Sequence, residues 1–145
     1  MRKNNHKAIW IMIALHQLLG FIWYSPVLFL NAWLSGQGKT LVQTSMRDPL
    51  PYVWDFVTTI IAAYTLSWLT KKLGADTFLK GAWVGIIVFF GITFQAIAPH
   101  YKFFGMGNSV LFTDLGILFI WTVITTGVLA SWKNKDFVKP VNVKF

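Results

Sequence analysis

The chain has no cysteine and no glutamate among its 145 residues, and only 12% of them are charged. Without cysteine there is no disulfide framework and no thiolate metal site. Without glutamate there are no paired glutamates for acid–base hydrolysis, and no nucleophile elbow takes their place. The scarcity of charge excludes more. A soluble domain draws roughly a quarter of its residues from Asp, Glu, Lys and Arg, so 13 basic and 5 acidic side chains are too few for a water-facing surface. What is present instead is apolar, with 55% hydrophobic and 17% aromatic residues and a mean hydropathy of +0.55. That composition excludes disorder and makes lipid the expected solvent. The expectation is a single all-α membrane domain over residues 1–145.

A bilayer core needs roughly 20 apolar helical residues to cross it, and four stretches of that size occur. They are expected at about 8–29, 52–70, 78–99 and 110–132, forming a four-helix transmembrane bundle. Basic residues near span ends stay in the cytoplasm. Arg2, Lys3, Lys7, Lys71, Lys72, Lys80, Lys133, Lys135, Lys139 and Lys144 fall on one side, against Lys39, Arg47 and Lys102 on the other. Both termini are therefore expected in the cytoplasm, with outer connections at about 30–51 and 100–109. A cleavable signal peptide over residues 1–30 fits poorly, because no small-x-small site follows the apolar run. The charge of +8 flanks spans instead of forming one solvated patch, so it reads as topological and not as a nucleic-acid footprint.

Local signals mark the boundaries. Asp48 is a candidate N-cap for the second span, with Pro49 and Pro51 suited to a helix start. Leu73-Gly74 reads as a C-cap, and Asp76 or Thr77 as the cap of the third span. The short 71–77 connection makes spans two and three antiparallel neighbours. Pro26 removes the partner of the Ile22 carbonyl, so the first span is expected to kink or end at Trp23-Tyr24-Ser25-Pro26. The stretch from Val27 to Trp33 then either lies along the surface or re-enters to line a polar site.

Membrane helices pack through small residues. Gly81 and Gly85 offer such a seam in span three, and Thr59, Ala63 and Ser67 another in span two. Ionisable groups inside hydrocarbon are costly, about 2.5–3.5 kcal/mol at a helix centre on insertion scales, so the few present are candidates for function. His16, Trp23, Tyr24 and Ser25 in span one, Asp55 in span two, Gln95 and His100 at the end of span three and Asp114 in span four all fall in the middle or outer half. They form a candidate ligand-binding cluster that opens outward. The competing structural reading is that Asp55 and Asp114 sit near helix starts, where negative charge is stabilised, and that His16 cross-links helices.

Gly36-Gln37-Gly38-Lys39-Thr40 imitates a phosphate loop, but Trp33 occupies the first glycine position and no strand precedes it. No nucleotide, nucleic acid, cofactor or metal is implied, since His6, His16 and His100 lie on separate segments. Gly20-Phe21-Ile22-Trp23-Tyr24-Ser25-Pro26-Val27-Leu28-Phe29 with Trp33, Leu73-Gly74-Ala75-Asp76-Thr77 with Gly81 and Gly85, and Leu111-Phe112-Thr113-Asp114 resemble a family of small bacterial membrane proteins known as domain of unknown function 1761. The resemblance implies four spans in a bacterial cytoplasmic membrane and no known activity. It departs at Ile117-Leu118, where a Tyr-His-like pair is expected. Three functions fit these residues. The first is a lipid- or ligand-binding or accessory membrane protein, as a homo-oligomer or with a larger membrane partner. The others are a cation- or proton-linked transporter and an intramembrane enzyme.

Overall fold

A computed structural model of the chain describes residues 5–44 and 47–132. Arg2, Lys3, Lys133, Lys135, Lys139 and Lys144, which enter the charge tally, lie outside the described residues. The described chain is helical, with no β-strand among the described residues. Helix α1 spans His6–Trp23, and the short α2 spans Leu30–Gln37. Helix α3 spans Leu50–Lys72. Helix α4, Phe78–Val88, passes through a π-helical segment at Phe89–Phe94 into α5, Gln95–Phe103, and α6 spans Asn108–Ser131.

The boundaries follow local chemistry. Pro26 ends α1 at Trp23 instead of allowing helix to Phe29, and the Ile22 carbonyl accepts from Ser25 N at 3.2 Å. The first span is accordingly shorter than 8–29, and the chain after the turn refolds as α2. The cap residue of α3 is Pro49, with the Asp48 carboxylate accepting from Leu50 N at 2.9 Å. Thr77 caps α4 by accepting from Lys80 N. After α3, Gly74 takes the left-handed φ of 69° that lets Ala75 N reach the Thr70 carbonyl at 2.9 Å, a closure for which glycine is the cheapest residue. Pro99 does not stop the third rod, which continues to Phe103. The π segment just upstream is where a helix absorbs such a disturbance.

Three rods are long and apolar enough to cross a membrane: α1, the continuous Phe78–Phe103 rod and α6. Helix α3 is long enough, about 34 Å at 1.5 Å per residue, but is not among them. Its sequence carries Asp55, Ser67 and four threonines, Thr58, Thr59, Thr65 and Thr70. Three of those hydroxyls are satisfied within the helix, Thr58 on the Trp54 carbonyl, Thr65 on Ile61 and Thr70 on Leu66.

Paired contacts give the directions. His6 meets Tyr64 and His16 meets Asp55, so α1 and α3 are antiparallel. Met12 meets Trp121 and Trp23 meets Thr113, so α1 and α6 are antiparallel too. Helix α6 touches every other α-helix, and half of its residues are buried. Ala8, Ile9, Met12 and Ile13 of α1, Ala63 and Leu66 of α3, and Trp121 and Leu129 of α6 form the main core. Thr59, Ala63 and Ser67 are all buried on the packed side of α3.

Glycines set the closest approaches. A methyl placed on Gly81 would stand 2.6 Å from Ala130 Cβ, and one on Gly85 would stand 2.9 Å from Val123 Cα. The phosphate-loop look of the 36–40 stretch has a packing explanation: a methyl on Gly36 would come within 2.8 Å of Val110 Cβ, and Gly107 N donates to the Gly36 carbonyl at 2.8 Å. Gly85→Val is expected to cost about 1–3 kcal/mol through overpacking against α6 backbone. Gly91→Ala, which meets open space, should stay within about 0.5 kcal/mol. Thermal unfolding in detergent followed by tryptophan fluorescence checks both, and equal effects would show that the α4–α6 seam tolerates expansion.

Candidate functional site

The structure divides the candidate cluster into two networks, each built around one carboxylate and each tied to α1. The first joins α1 to α3. Asp55 Oδ2 accepts from Gln17 Nε2 at 2.9 Å, and Asp55 Oδ1 lies 3.3 Å from His16 Nε2. Consecutive positions 16 and 17 reach one carboxylate because His16 faces the core while Gln17 sits at its edge, so Asp55 is gripped at the seam between α1 and α3.

His16 is buried and its ring meets Trp121 edge-on, 4.8 Å between centroids. Its Nδ1 is buried without a hydrogen-bond partner. The Met12 carbonyl one turn earlier receives the Trp121 indole N–H at 3.0 Å. An acceptor-only Nδ1 fits this setting, which makes Nε2–H the donor to Asp55. The Asp55 side chain itself is 51% exposed. A carboxylate offers about four acceptor positions, and His16 and Gln17 approach from one side only.

The second network joins α1, α5 and α6. The hydroxyls of Tyr24 and Tyr101 donate to the two oxygens of Asp114 at 2.5 and 2.6 Å. Such short O–H···O⁻ bonds belong to the stronger class of hydrogen bond. Trp33 of α2 stands edge-on to Tyr24, 5.5 Å between ring centroids. Trp23 donates its indole N–H to the Thr113 carbonyl at 3.1 Å. It fits there because Gly116 leaves room, a methyl at that position falling 3.1 Å from the Trp23 ring. Ser25 contributes through its backbone carbonyl, which accepts from Leu28 N and Leu30 N and so starts α2.

Two expected members stand apart. Gln95 is exposed at the start of α5, and His100 is exposed with its ring tilted against Phe104, 4.6 Å between centroids. Neither is bonded to Asp55 or Asp114; the residues of α5 that pack against α6 are Ile97, Ala98 and Tyr101. Tyr101 and Trp121 are absent from the sequence-based cluster although each completes a network. Tyr101 falls beyond the expected end of span three at Pro99, and only the continuation of the helix to Phe103 brings it to Asp114. The tight return at Gly105, φ 67°, with Met106 N on the Tyr101 carbonyl at 3.0 Å, sets α5 against α6. Among the described residues, no group of three or more His, Cys, Asp or Glu side chains could hold a metal ion.

Asp114 is thus an enclosed tie between three helices, and Asp55 an accessible acceptor. Tyr24→Phe and Tyr101→Phe are each expected to destabilise the protein by about 1–3 kcal/mol, since each removes a donor from a charged, largely buried acceptor. A double-mutant cycle of Tyr24→Phe with Asp114→Ala should show a coupling of roughly 0.5–3 kcal/mol. Strict additivity in thermal or denaturant unfolding would remove the tie from the account of stability.

No curated protein and no solved structure matches the chain. The pattern of the family described as "Protein of unknown function (DUF1761)" matches residues 8–130, which include both networks and nearly all of the four long rods, and the chain belongs to that family.

Proposed function

We propose that this chain is a four-span integral membrane protein with both termini in the cytoplasm, and that it binds a cationic group presented in the outer half of the bilayer through Asp55. The alternating helix directions favour four crossings, with α3 as the second span. Three of its four threonine hydroxyls are satisfied by its own carbonyls, which is how a helix carries such residues through hydrocarbon. An even number of crossings puts both termini on one side, and the ten-to-three distribution of basic residues favours the cytoplasm. The family resemblance supports a bacterial cytoplasmic membrane.

One observation carries the binding reading: of the two carboxylates, Asp114 is enclosed by donors from other helices and Asp55 is half exposed and held from one side. A carboxylate that only stabilised the fold would gain from enclosure. One left open at membrane depth keeps acceptor capacity for a positively charged visitor, and intramembrane ionisable groups are by default functional. A headgroup amine or the ammonium of an amphiphile has the matching charge.

A second reading, proton- or cation-linked permeation, draws on the unpartnered Nδ1 of buried His16 beside Asp55. Its weakness is that Asp55 and Asp114 are not part of one network. A proton or Na⁺ flux in vesicles that disappears in Asp55→Asn would favour it over simple binding.

Dodecyltrimethylammonium titrated onto the purified protein, followed by native mass spectrometry, is expected to bind at least tenfold more weakly to Asp55→Asn than to wild type and to keep its affinity in Tyr101→Phe; tenfold corresponds to about 1.4 kcal/mol. Equal binding to wild type and Asp55→Asn would refute the role of this carboxylate. Reporter fusions at residue 145 and within the 39–44 connection should report cytoplasmic and external locations respectively, and the same side for both would overturn the topology.

A further inference from the structure

We infer that the outer half of α3 docks against a transmembrane helix of another protein that carries a lysine or arginine at the depth of Asp55. The inference rests on the binding reading above and names the partner. Every residue from Leu50 to Thr58 is exposed, whereas Thr59, Ala63, Leu66, Ser67 and Thr70 in the inner half are buried against α1 and α6. The uncovered stretch is about 13 Å long and exposes Val53, Trp54, Phe56 and Val57 around Asp55.

Lipid is a poor cover for this stretch. Helix α3 is the one long helix that falls outside the set apolar enough to cross a membrane, and its outer half holds a carboxylate about 7–8 Å beyond the helix start. Lipid tails offer that carboxylate nothing, and further protein can pair with it. A basic group fits this place best, because it brings both the donors that the remaining acceptor positions of Asp55 seek and the charge that neutralises the carboxylate.

At the depth of Asp55 the spans of this chain hold no Lys or Arg. No Lys or Arg lies between Lys7 and Lys39, between Arg47 and Lys71, between Lys80 and Lys102, or between Lys102 and Lys133. Lys39, Arg47 and Lys102 sit in or beside the outer connections, and Lys102 Nζ is engaged by Asn108. A second copy meeting this face would therefore bring another carboxylate to Asp55 and no cation. A single-headed amphiphile would neutralise the charge but leave most of the 13 Å stretch uncovered. A helix with one basic side chain satisfies both requirements, the apolar length and the charge.

The test uses phosphatidylcholine vesicles, the full chain labelled with a donor fluorophore at Val42→Cys, and a leucine–alanine transmembrane peptide carrying the acceptor. The chain has no other cysteine, and Val42 is exposed in an outer connection. The peptide carries one Lys, Leu or Glu about five residues below its outer end. The Lys peptide is expected to associate at least tenfold more tightly than the Leu peptide, and the Glu peptide more weakly than either. This series needs no substitution at the site, so it decides the matter even if Asp55→Asn fails to fold. In folded Asp55→Asn the preference for Lys should vanish. Equal association of the Lys and Leu peptides would overturn the inference. If dodecyltrimethylammonium still bound through Asp55 in that case, the binding reading would survive alone, and if it did not, both would fall. Energy transfer between two labelled copies that exceeds transfer to the Lys peptide would overturn it in favour of a self-assembled pair.

Discussion

Close backbone approach to α6 is the constraint on which the rest of this structure depends. Helices in lipid gain little from hiding apolar surface, because the lipid is as apolar as the side chains. They gain from dispersion contacts and from hydrogen bonds that form only at short range. Gly81 and Gly85 bring α4 to within a methyl group of α6 backbone, and Gly36 does the same for α2 at the start of α6. Once α6 is clasped on these sides, its remaining surface is offered to α1 and α3, where Trp121 packs with Met12, Ile13 and Ala63.

The polar groups are consequences of that arrangement. With α1 antiparallel to both α3 and α6, its C-terminal half faces two helices at once, and its residues divide between them. His16 and Gln17 turn to α3 and meet Asp55, while Trp23 and Tyr24, two turns further on, turn to α6 and meet Thr113 and Asp114. One carboxylate then becomes internal and the other marginal, without any difference in residue type. Burial of Asp114 is tolerated because two tyrosine hydroxyls satisfy it from different helices, and the same hydroxyls hold α5 and α1 in place. Asp55 lies in the N-terminal part of α3, a helix packed only along its C-terminal part, and retains access to its surroundings.

Much of this was legible in the residues. Charge-poor apolar runs located the four long rods, Pro26 foretold the break after Trp23, and Leu73-Gly74 and Thr77 marked the turn between α3 and α4. His16, Asp55, Tyr24 and Asp114 were recognisable because ionisable and hydrogen-bonding groups in hydrocarbon are scarce. Tyr101 was not, since a proline at 99 normally signals a helix end and tyrosine near an interface needs no further explanation. Gln95 and His100 were credited to the cluster on depth alone, and depth does not say which way a side chain points.

Composition and one-dimensional pattern determined the lipid solvent, the helical content, the approximate rods and the identity of the polar residues, because each of these depends on hydropathy, spacing or backbone chemistry within a short stretch of chain. Only the tertiary structure decided that Asp55 and Asp114 belong to different networks, that α3 is packed along half its length, and that Gly36 of the phosphate-loop lookalike instead lets α2 rest on α6. Those outcomes depend on the rotation of each helix about its own axis. A one-residue change in register turns a side chain by about 100°, and the register is set by contacts between residues as far apart as Tyr24 and Asp114, which no local pattern encodes.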